Sequence, residues 1–520
     1  MKHLLFLRTL RHLKKKQIIY QLKHRLIKPH WIQLSFCGTS SVWKMETPIK
    51  KWKCLKEDGQ FSFLNQTAHF EHWNDTRYGK LWAYHLNYMD WLLQDGVSIE
   101  EGSYWIDRFV ADLSKNKIGL EPYPIALRGI NWMKFISLYG SEIDEKKKKH
   151  WHDALYAQYG ILKKSLEFHL MGNHLLENAF SLYLASLYFE ERGMYQRARK
   201  LLRQELKEQI LLDGAHYEQS PMYHCLLLDR LLDCYNVASR NLKFKGQEKE
   251  VLFFQEVASR MLGHLESILY QDKTFPLFND SAYDVAPIPQ ELFHYAQRLN
   301  VVWKSIPLQE SGYRKMVGLA MELFLDVGNV TATYQPGHTH ADTFTYELRI
   351  HGKPFIVDTG ISTYDKDKRR QWERGTAAHN TVVIAHQNSS EVWSGFRLGH
   401  RAKVTLLKDS SKTIEALHDG FGKWGKHIRR FQLGENQLYI KDEISKEAPA
   451  QNYIHLAPDI QVISFSHNQI VTNVATLRIE GAEYIVMEKE WVASQYHRLK
   501  EHIVIRIHFR KKMGYRICIA

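Results

Sequence analysis

Two rhythms of apolar and polar positions divide the chain. From about residue 60 to 310, apolar side chains recur at three- and four-residue spacing, in 82–93, 125–139, 175–189, 226–237 and 251–269. That spacing lays an apolar stripe along one face of a helix. Short polar breaks such as Gly193 and Asp213-Gly214 separate these stretches, which predicts a long series of antiparallel helix pairs. From about Gly318 the period falls to two. Phe344, Tyr346, Leu348 and Ile350 alternate with Thr343, Thr345, Glu347 and Arg349, and His351-Gly352-Lys353 turns the chain into Phe355-Ile356-Val357. Short runs of the same kind follow at 381–384, 404–407, 437–440, 484–487 and 503–507. Helices in one half and strands in the other predict two domains, the second a β-sandwich, meeting near 305–318. The expected division is an arm over 1–58, a helical domain over 59–310 and a β domain over 318–520.

Composition agrees with this division. Of 520 residues, 44% are hydrophobic and 25% charged, a globular profile with material for two cores. Fourteen Trp and 27 Tyr supply rings that fill cores and also line sugar clefts. The five cysteines, Cys37, Cys54, Cys225, Cys234 and Cys518, include no CxxC pair, so neither a disulfide framework nor a thiolate metal site is expected.

Charge changes the picture only at the start. The arm holds 14 Lys/Arg against three Asp/Glu, a balance of +11 out of the whole chain's +14. The rest is nearly neutral and carries no recognised nucleic-acid module, so nucleic acid is not an expected partner. The apolar run over 4–7 is stopped by Arg8, and Lys14, Lys15 and Lys16 follow. An export signal needs about 7–15 apolar residues and a small-residue cleavage site. A membrane span needs about 18 or more. The expectation is therefore no signal peptide and no span, with a cytoplasmic location or one peripheral to the inner membrane. Leu4, Leu7, Leu10, Leu13 and Ile18 interleave with cations as in an amphipathic helix. Packing on the protein's own domain and contact with an anionic membrane surface both fit.

Four clusters carry candidate chemistry: 171–177 (MGNHLLE), 213–224 (DGAHYEQSPMYH), 336–342 (PGHTHAD) and 376–381 (TAAHNT). Each sets His beside amide, Tyr or carboxylate groups at an element boundary, where functional groups gather. His338 and His340, two apart at an expected strand start, fall on one face. With Asp358 and His379 they offer nitrogen and oxygen ligands of the kind zinc takes.

The motifs together resemble the heparinase II/III superfamily, which includes heparin-sulfate lyases and related alginate lyases. The resemblance rests on 81–88 (LWAYHLNY), 121–128 (EPYPIALR), 172–177 (GNHLLE), 220–224 (SPMYH), 337–342 (GHTHAD), 358–360 (DTG) and 379–381 (HNT), in that order along most of the chain. It implies an incomplete (α/α) toroid followed by an antiparallel β-sandwich, with the active site between them. It also implies a polysaccharide lyase that removes the C5 proton of a uronic acid and expels the 4-linked oxygen.

In that scheme Asn173 and His174 neutralise the substrate carboxylate, so that the carbanion can spread into it. Tyr223 serves as base, acid or both, and His338 as the second proton-transfer group. Glu177 orients His174, and His224 and Tyr217 lie at the substrate. Tyr217 remains a rival to Tyr223. His340, Asp358 and His379 bind a structural zinc, with His379 alternatively facing the substrate. The partner is an acidic polysaccharide. A hydrolase with paired carboxylates such as Glu218 and Asp280, and a non-catalytic polysaccharide-binding protein, are the competing functions.

Overall fold

In the computed structural model, residues 2–26, 30–38 and 40–519 are described. The helical half contains Gly79–Tyr88, Ile99–Asp112, Pro122–Tyr139, Glu145–Ser165, Gly172–Tyr188, Arg192–Gln209, Pro221–Arg240, Glu248–Ile268 and Pro289–Arg298. Gly172–Tyr188 packs against Pro122–Tyr139, Arg192–Gln209 and Pro221–Arg240, and is buried on nearly all sides. Its run of Leu, Ala, Phe and Tyr with almost no charge fits that inner position. Arg192–Gln209 is an outer helix. It buries Met194, Tyr195, Ala198, Leu201, Leu202 and Leu206 and turns its cations to solvent.

Two departures from the expected pattern have local causes. The stretch 82–93 is not one helix, because Met89 takes a left-handed backbone (φ 52°) that ends Gly79–Tyr88 and starts a short 3-10 turn. A hairpin, Gln60–Phe63 with Gln66–His69, stands at the start of the helical region. Its two-residue turn is Leu64-Asn65, both at positive φ, the geometry that matches the twist of paired strands.

The second half is antiparallel β. One eight-stranded sheet runs Val404–Asp409, Thr413–His418, His427–Leu433, Gln437–Ile444, Lys512–Ile519, Ala475–Glu480, Gln469–Thr472 and Val462–Phe465. Two four-stranded sheets face it, one of Tyr313–Val317, Met321–Asp326, Tyr346–Ile350 and Lys353–Ile356, the other of Tyr484–Gln495, Arg498–Phe509, Ala450–His455 and Val382–Ile384. The core between them is aliphatic and aromatic, with Tyr346 packed on Phe431 at 5.7 Å and hydrogen bonded to Tyr515 at 2.9 Å. The fold is thus an (α/α) toroid followed by an antiparallel β-sandwich. The only α-helix among the described residues beyond 340 is the six-residue Lys368–Glu373.

The alternation over 342–350 becomes a shorter strand, Tyr346–Ile350, that is buried on both faces. One face meets the sandwich core. The other meets the toroid, where Tyr270 Oη and Leu277 N donate to the two oxygens of Glu347. His338 and His340 therefore lie in a loop ahead of the strand, not at its start.

The arm forms two helices, Lys2–Leu10 and Lys15–Leu26, that reach both domains. Arg8 pairs with Glu391, and Trp393 Nε1 donates to Thr9 Oγ1, on the sandwich side. Lys14 pairs with Glu208 and Lys16 sits over Phe168, on the toroid side. Gln17, almost fully buried, donates to Leu170 O and to Gln335 Oε1, one from each domain. The side chain of Leu4, expected on the apolar face, lies outside the described residues.

Candidate active site

Between the domains opens a cavity of about 790 Å³. Asn173, His174, Glu177, Glu218 and Tyr223 line it from the toroid, and His338, Tyr364 and Phe396 from the sandwich.

The segments that reach it are held in costly backbone geometry. Met171 (φ 58°) precedes Asn173, Gln219 (φ 57°) follows Glu218, and Asn279 (φ 56°) precedes Asp280. Left-handed backbone at such residues persists only where the surroundings fix it, and it clusters at functional sites. Here the Asn279 side chain does the fixing. Its Nδ2 donates to Gln219 O at 2.9 Å and its Oδ1 accepts from His340 N at 2.9 Å. Gly172 is required twice over: its φ is +56°, and a Cβ there would stand 2.3 Å from Glu218 Oε1.

Glu218 holds Asn173 in place, accepting from its backbone N at 2.9 Å and from Nδ2 at 3.0 Å. The second Nδ2 hydrogen points to His338 Nε2 at 3.2 Å. An amide nitrogen only donates, so this network assigns His338 Nε2 as the unprotonated acceptor, its lone pair on Asn173 Nδ2 at the cavity wall. His338 Nδ1 then donates to Asp280 Oδ2 at 2.8 Å. Asp280 also accepts from His340 Nε2 at 2.7 Å and from Arg370 Nη2 at 2.6 Å. Burial alone would raise this carboxyl; the Arg370 charge and the two imidazole bonds instead hold it well below the carboxylate range. The carboxylate fixes the orientation and tautomer of the His338 ring, as a buried Asp does for the imidazole of a Ser-His-Asp triad.

Tyr223 enters from helix Pro221–Arg240, whose first turn is capped by Ser220 Oγ accepting from Tyr223 N. Its ring stacks on His338 with centroids 3.8 Å apart. Tyr364 Oη donates to Tyr223 Oη at 3.3 Å. Burial raises the Tyr223 pKa, and the Asp280 and Glu218 charges add to this against the lowering Tyr364 bond. The phenol therefore keeps its proton at neutral pH. His174 is oriented by Glu167, Nδ1 to Oε1 at 3.1 Å. Burial disfavours its charged form, but Glu167 outweighs that and raises its pKa above the ordinary histidine value.

Three expected roles change. Glu177 does not touch His174. It lies 3.6 Å from Arg230 Nε, and burial pushes its carboxyl up to about 7. Tyr217 is not at the cavity, because its hydroxyl is spent on Tyr334 at 2.7 Å. His224 is also behind the wall, with Nε2 on Met261 O at 2.9 Å and a pKa driven far down by burial. Glu167, Arg370 and Tyr364 carry no sequence signal, since each acts through a contact the chain pattern does not encode. Glu218 and Asp280 stand out in the sequence only as a carboxylate pair; in space they flank the two nitrogens of His338.

The expected zinc residues gather beside this site. His340 and His379 are buried with ring centroids 5.3 Å apart, and His340 Nδ1 and His379 Nε2 each lack a hydrogen-bond partner among the described residues. Asp358 Oδ2 binds His379 Nδ1 at 2.7 Å. The donors fit zinc in kind. In this arrangement Asp358 faces the imidazole, and no group of three or more His, Cys, Asp or Glu among the described residues already closes on a metal position.

Comparison with known proteins matches this architecture. The heparinase II/III N-terminus family model matches residues 132–299, and the heparinase II/III-like C-terminal model matches 301–518. A heparin-sulfate lyase of Pedobacter heparinus is 26% identical over 359 residues, covering 60% of this chain and 49% of that protein. A second, from Bacteroides stercoris, is 22% identical over 379 residues, covering 65% and 55%. The chain thus spans about half the length of these curated relatives. A crystal structure of heparinase III superposes with a TM-score of 0.64 at 15% identity, over 96% of this chain and 89% of that one, and so shares the fold. With the two family models matching in order across both domains, the chain belongs to the heparinase II/III family.

Proposed function

We propose that the protein is a polysaccharide lyase that cleaves a uronic-acid-containing polymer by β-elimination. The observation that carries this is the meeting of Asn173, His174, Tyr223 and His338 in one interdomain cavity. Asn173 and protonated His174 receive the uronate carboxylate, which lowers the cost of charge developing next to C5. Asn173 Nδ2 gives up its bond to His338 Nε2 as it turns to the carboxylate, and the freed Nε2 lone pair, on a ring fixed by Asp280, takes the C5 proton. The C5–H electron pair becomes the C4–C5 double bond as the C4–O bond breaks. Tyr223, held protonated, delivers its proton to the departing oxygen. The proton gained by His338 and the one lost by Tyr223 are then exchanged with solvent.

A hydrolase is disfavoured by the same geometry. It needs two carboxylates facing the sugar, and Asp280 is fully buried and saturated by Arg370, His338 and His340.

The cavity also indicates the charge density of the polymer. Its lining holds five Lys/Arg and five Asp/Glu. Arg230 is committed to Asp229, Asp233 and Glu177, and Lys51 to Asp229. A chain bearing one carboxylate per reacting sugar suits such a lining, whereas a densely sulfated one needs surplus cations.

Zinc held by His340, Asp358 and His379 would stiffen the loop that presents His338, with Asp358 exchanging its bond to His379 for the metal. Elemental analysis of protein purified without chelators should find one zinc per chain, and chelation should lower the melting temperature. Absence of stoichiometric metal would refute this part. For the reaction itself, incubation with a panel of uronate polymers should generate ultraviolet absorbance from a conjugated C4–C5 double bond. Reducing ends formed without that absorbance would mean hydrolysis.

A further inference from the structure

The second arm helix is amphipathic in an inverted sense. Lys15, Ile19, Leu22 and Leu26 stand at i, i+4, i+7 and i+11, one face of the helix. This face points away from the protein: Ile19 is 63% exposed, Leu22 57% and Leu26 84%. Ile18 on its flank is exposed as well, and the preceding helix adds Phe6 and Leu7. The opposite face, Gln17, Tyr20 and His24, turns inward. It donates to Leu170 and Gln335 and packs on Phe168 and His169. A helix held to its own domain by polar and aromatic residues, with its aliphatic side chains in water, is built for a second surface.

Charge identifies that surface. Residues 2–26 contain eight Lys/Arg and no Asp or Glu. Arg11, Lys15 and Arg25 are exposed and make no ion pair among the described residues. An apolar stripe flanked by unpaired cations matches the boundary between headgroups and acyl chains of an anionic bilayer. The two helices have nine and 12 residues, and no helix among the described residues is long and apolar enough to cross a membrane.

We propose that helices Lys2–Leu10 and Lys15–Leu26 are a membrane-docking face that lies in the surface of an anionic lipid bilayer. Their inner contacts carry the consequence to the site. Gln17 joins Leu170, three residues before Asn173, to Gln335, three before His338. Lipid bound on the outer face thereby sets the interdomain cavity at a fixed place beside the bilayer, within reach of a polymer presented there.

The test is flotation of the full-length protein with vesicles of phosphatidylglycerol and phosphatidylcholine, against phosphatidylcholine alone. Binding should require the anionic lipid and fall with added salt. Leu22→Ser with Leu26→Ser should weaken it at least about tenfold, from the apolar surface lost. Arg11→Glu and Arg25→Glu should each cost roughly fivefold or more. These positions are exposed, so an unchanged melting temperature serves as the folding control. Light scattering of the same samples reports the alternative occupant. A dimer of wild type that the stripe variants dissociate would identify a second copy and overturn the proposal. Absence of vesicle binding, or binding indifferent to the stripe variants, would overturn it too.

Discussion

Tyr223 keeps its proton in a cavity where burial and two carboxylates oppose the phenolate, and in the proposed reaction it is therefore the donor and His338 the acceptor. Tyr223→Phe removes one hydroxyl and leaves the stacked ring, so folding should survive while turnover falls at least about a hundredfold. Tyr217→Phe breaks only the pair with Tyr334 and should leave turnover near wild type. Asn173→Ala removes the amide nearest both Glu218 and His338 and should also cost on the order of a hundredfold, as loss of a charge-stabilising donor does. Steady-state rates of the purified variants check all three.

The pH dependence follows from His174. Its pKa is raised, so the cation is present below the ordinary histidine range and is lost only as pH rises above it. Substrate affinity should therefore decline as pH rises through the raised His174 pKa, at a higher pH than for an ordinary histidine. Glu167→Gln removes the raising charge and leaves the lowering effect of burial, so the decline should move to lower pH. A KM–pH profile that does not move would remove Glu167 from this role. Asn173, His174, Tyr223 and His338 were legible in the sequence because each sits in a short polar motif at an element boundary. Glu167 was not, and Asp280 stood out only as half of a carboxylate pair, because what each does is a contact made after folding.

At the scale of elements, the helices of the toroid and most sandwich strands followed from periodicity, since one buried face imposes the same repeat on sequence and structure. The loops between them did not. The left-handed residues Met171, Gln219 and Asn279 are ordinary in composition, and only the packing around them shows why they are tolerated. Met89 broke an apolar run that reads as continuous, and His338 and His340 meet on Asp280 from a loop. Gly172 gives a direct test of this layer. Gly172→Ala places a Cβ against Glu218 at a positive φ. It should destabilise the fold by about 1 kcal/mol or more. It should also depress turnover by displacing Asn173. Thermal unfolding and rate measured together check it; a stable, fully active variant would mean the 171–173 turn is not under constraint.

On the scale of the whole molecule, the toroid and sandwich supply opposite walls of one cavity, and the arm ties them by Gln17. Sequence indicated the two domains and the basic arm, but not that the arm bridges them, because a bridging contact leaves no periodic signal. The balanced charge of the lining predicts a preference among substrates. Unsulfated uronate polymers should be cleaved faster than sulfated chains of the same backbone, and binding of unsulfated oligosaccharides to the Tyr223→Phe variant should depend weakly on salt. Faster cleavage of the sulfated chain would show that cations outside the lining govern recognition.

The most direct measurement is the mass and ultraviolet spectrum of the fragments released from an unsulfated uronate polymer by wild type and by Tyr223→Phe. β-Elimination predicts fragments lighter by one water than hydrolytic products, absorbing through a C4–C5 double bond, and nearly absent with the variant. Hydrated fragments without that absorbance, or equal yields from both proteins, would contradict it.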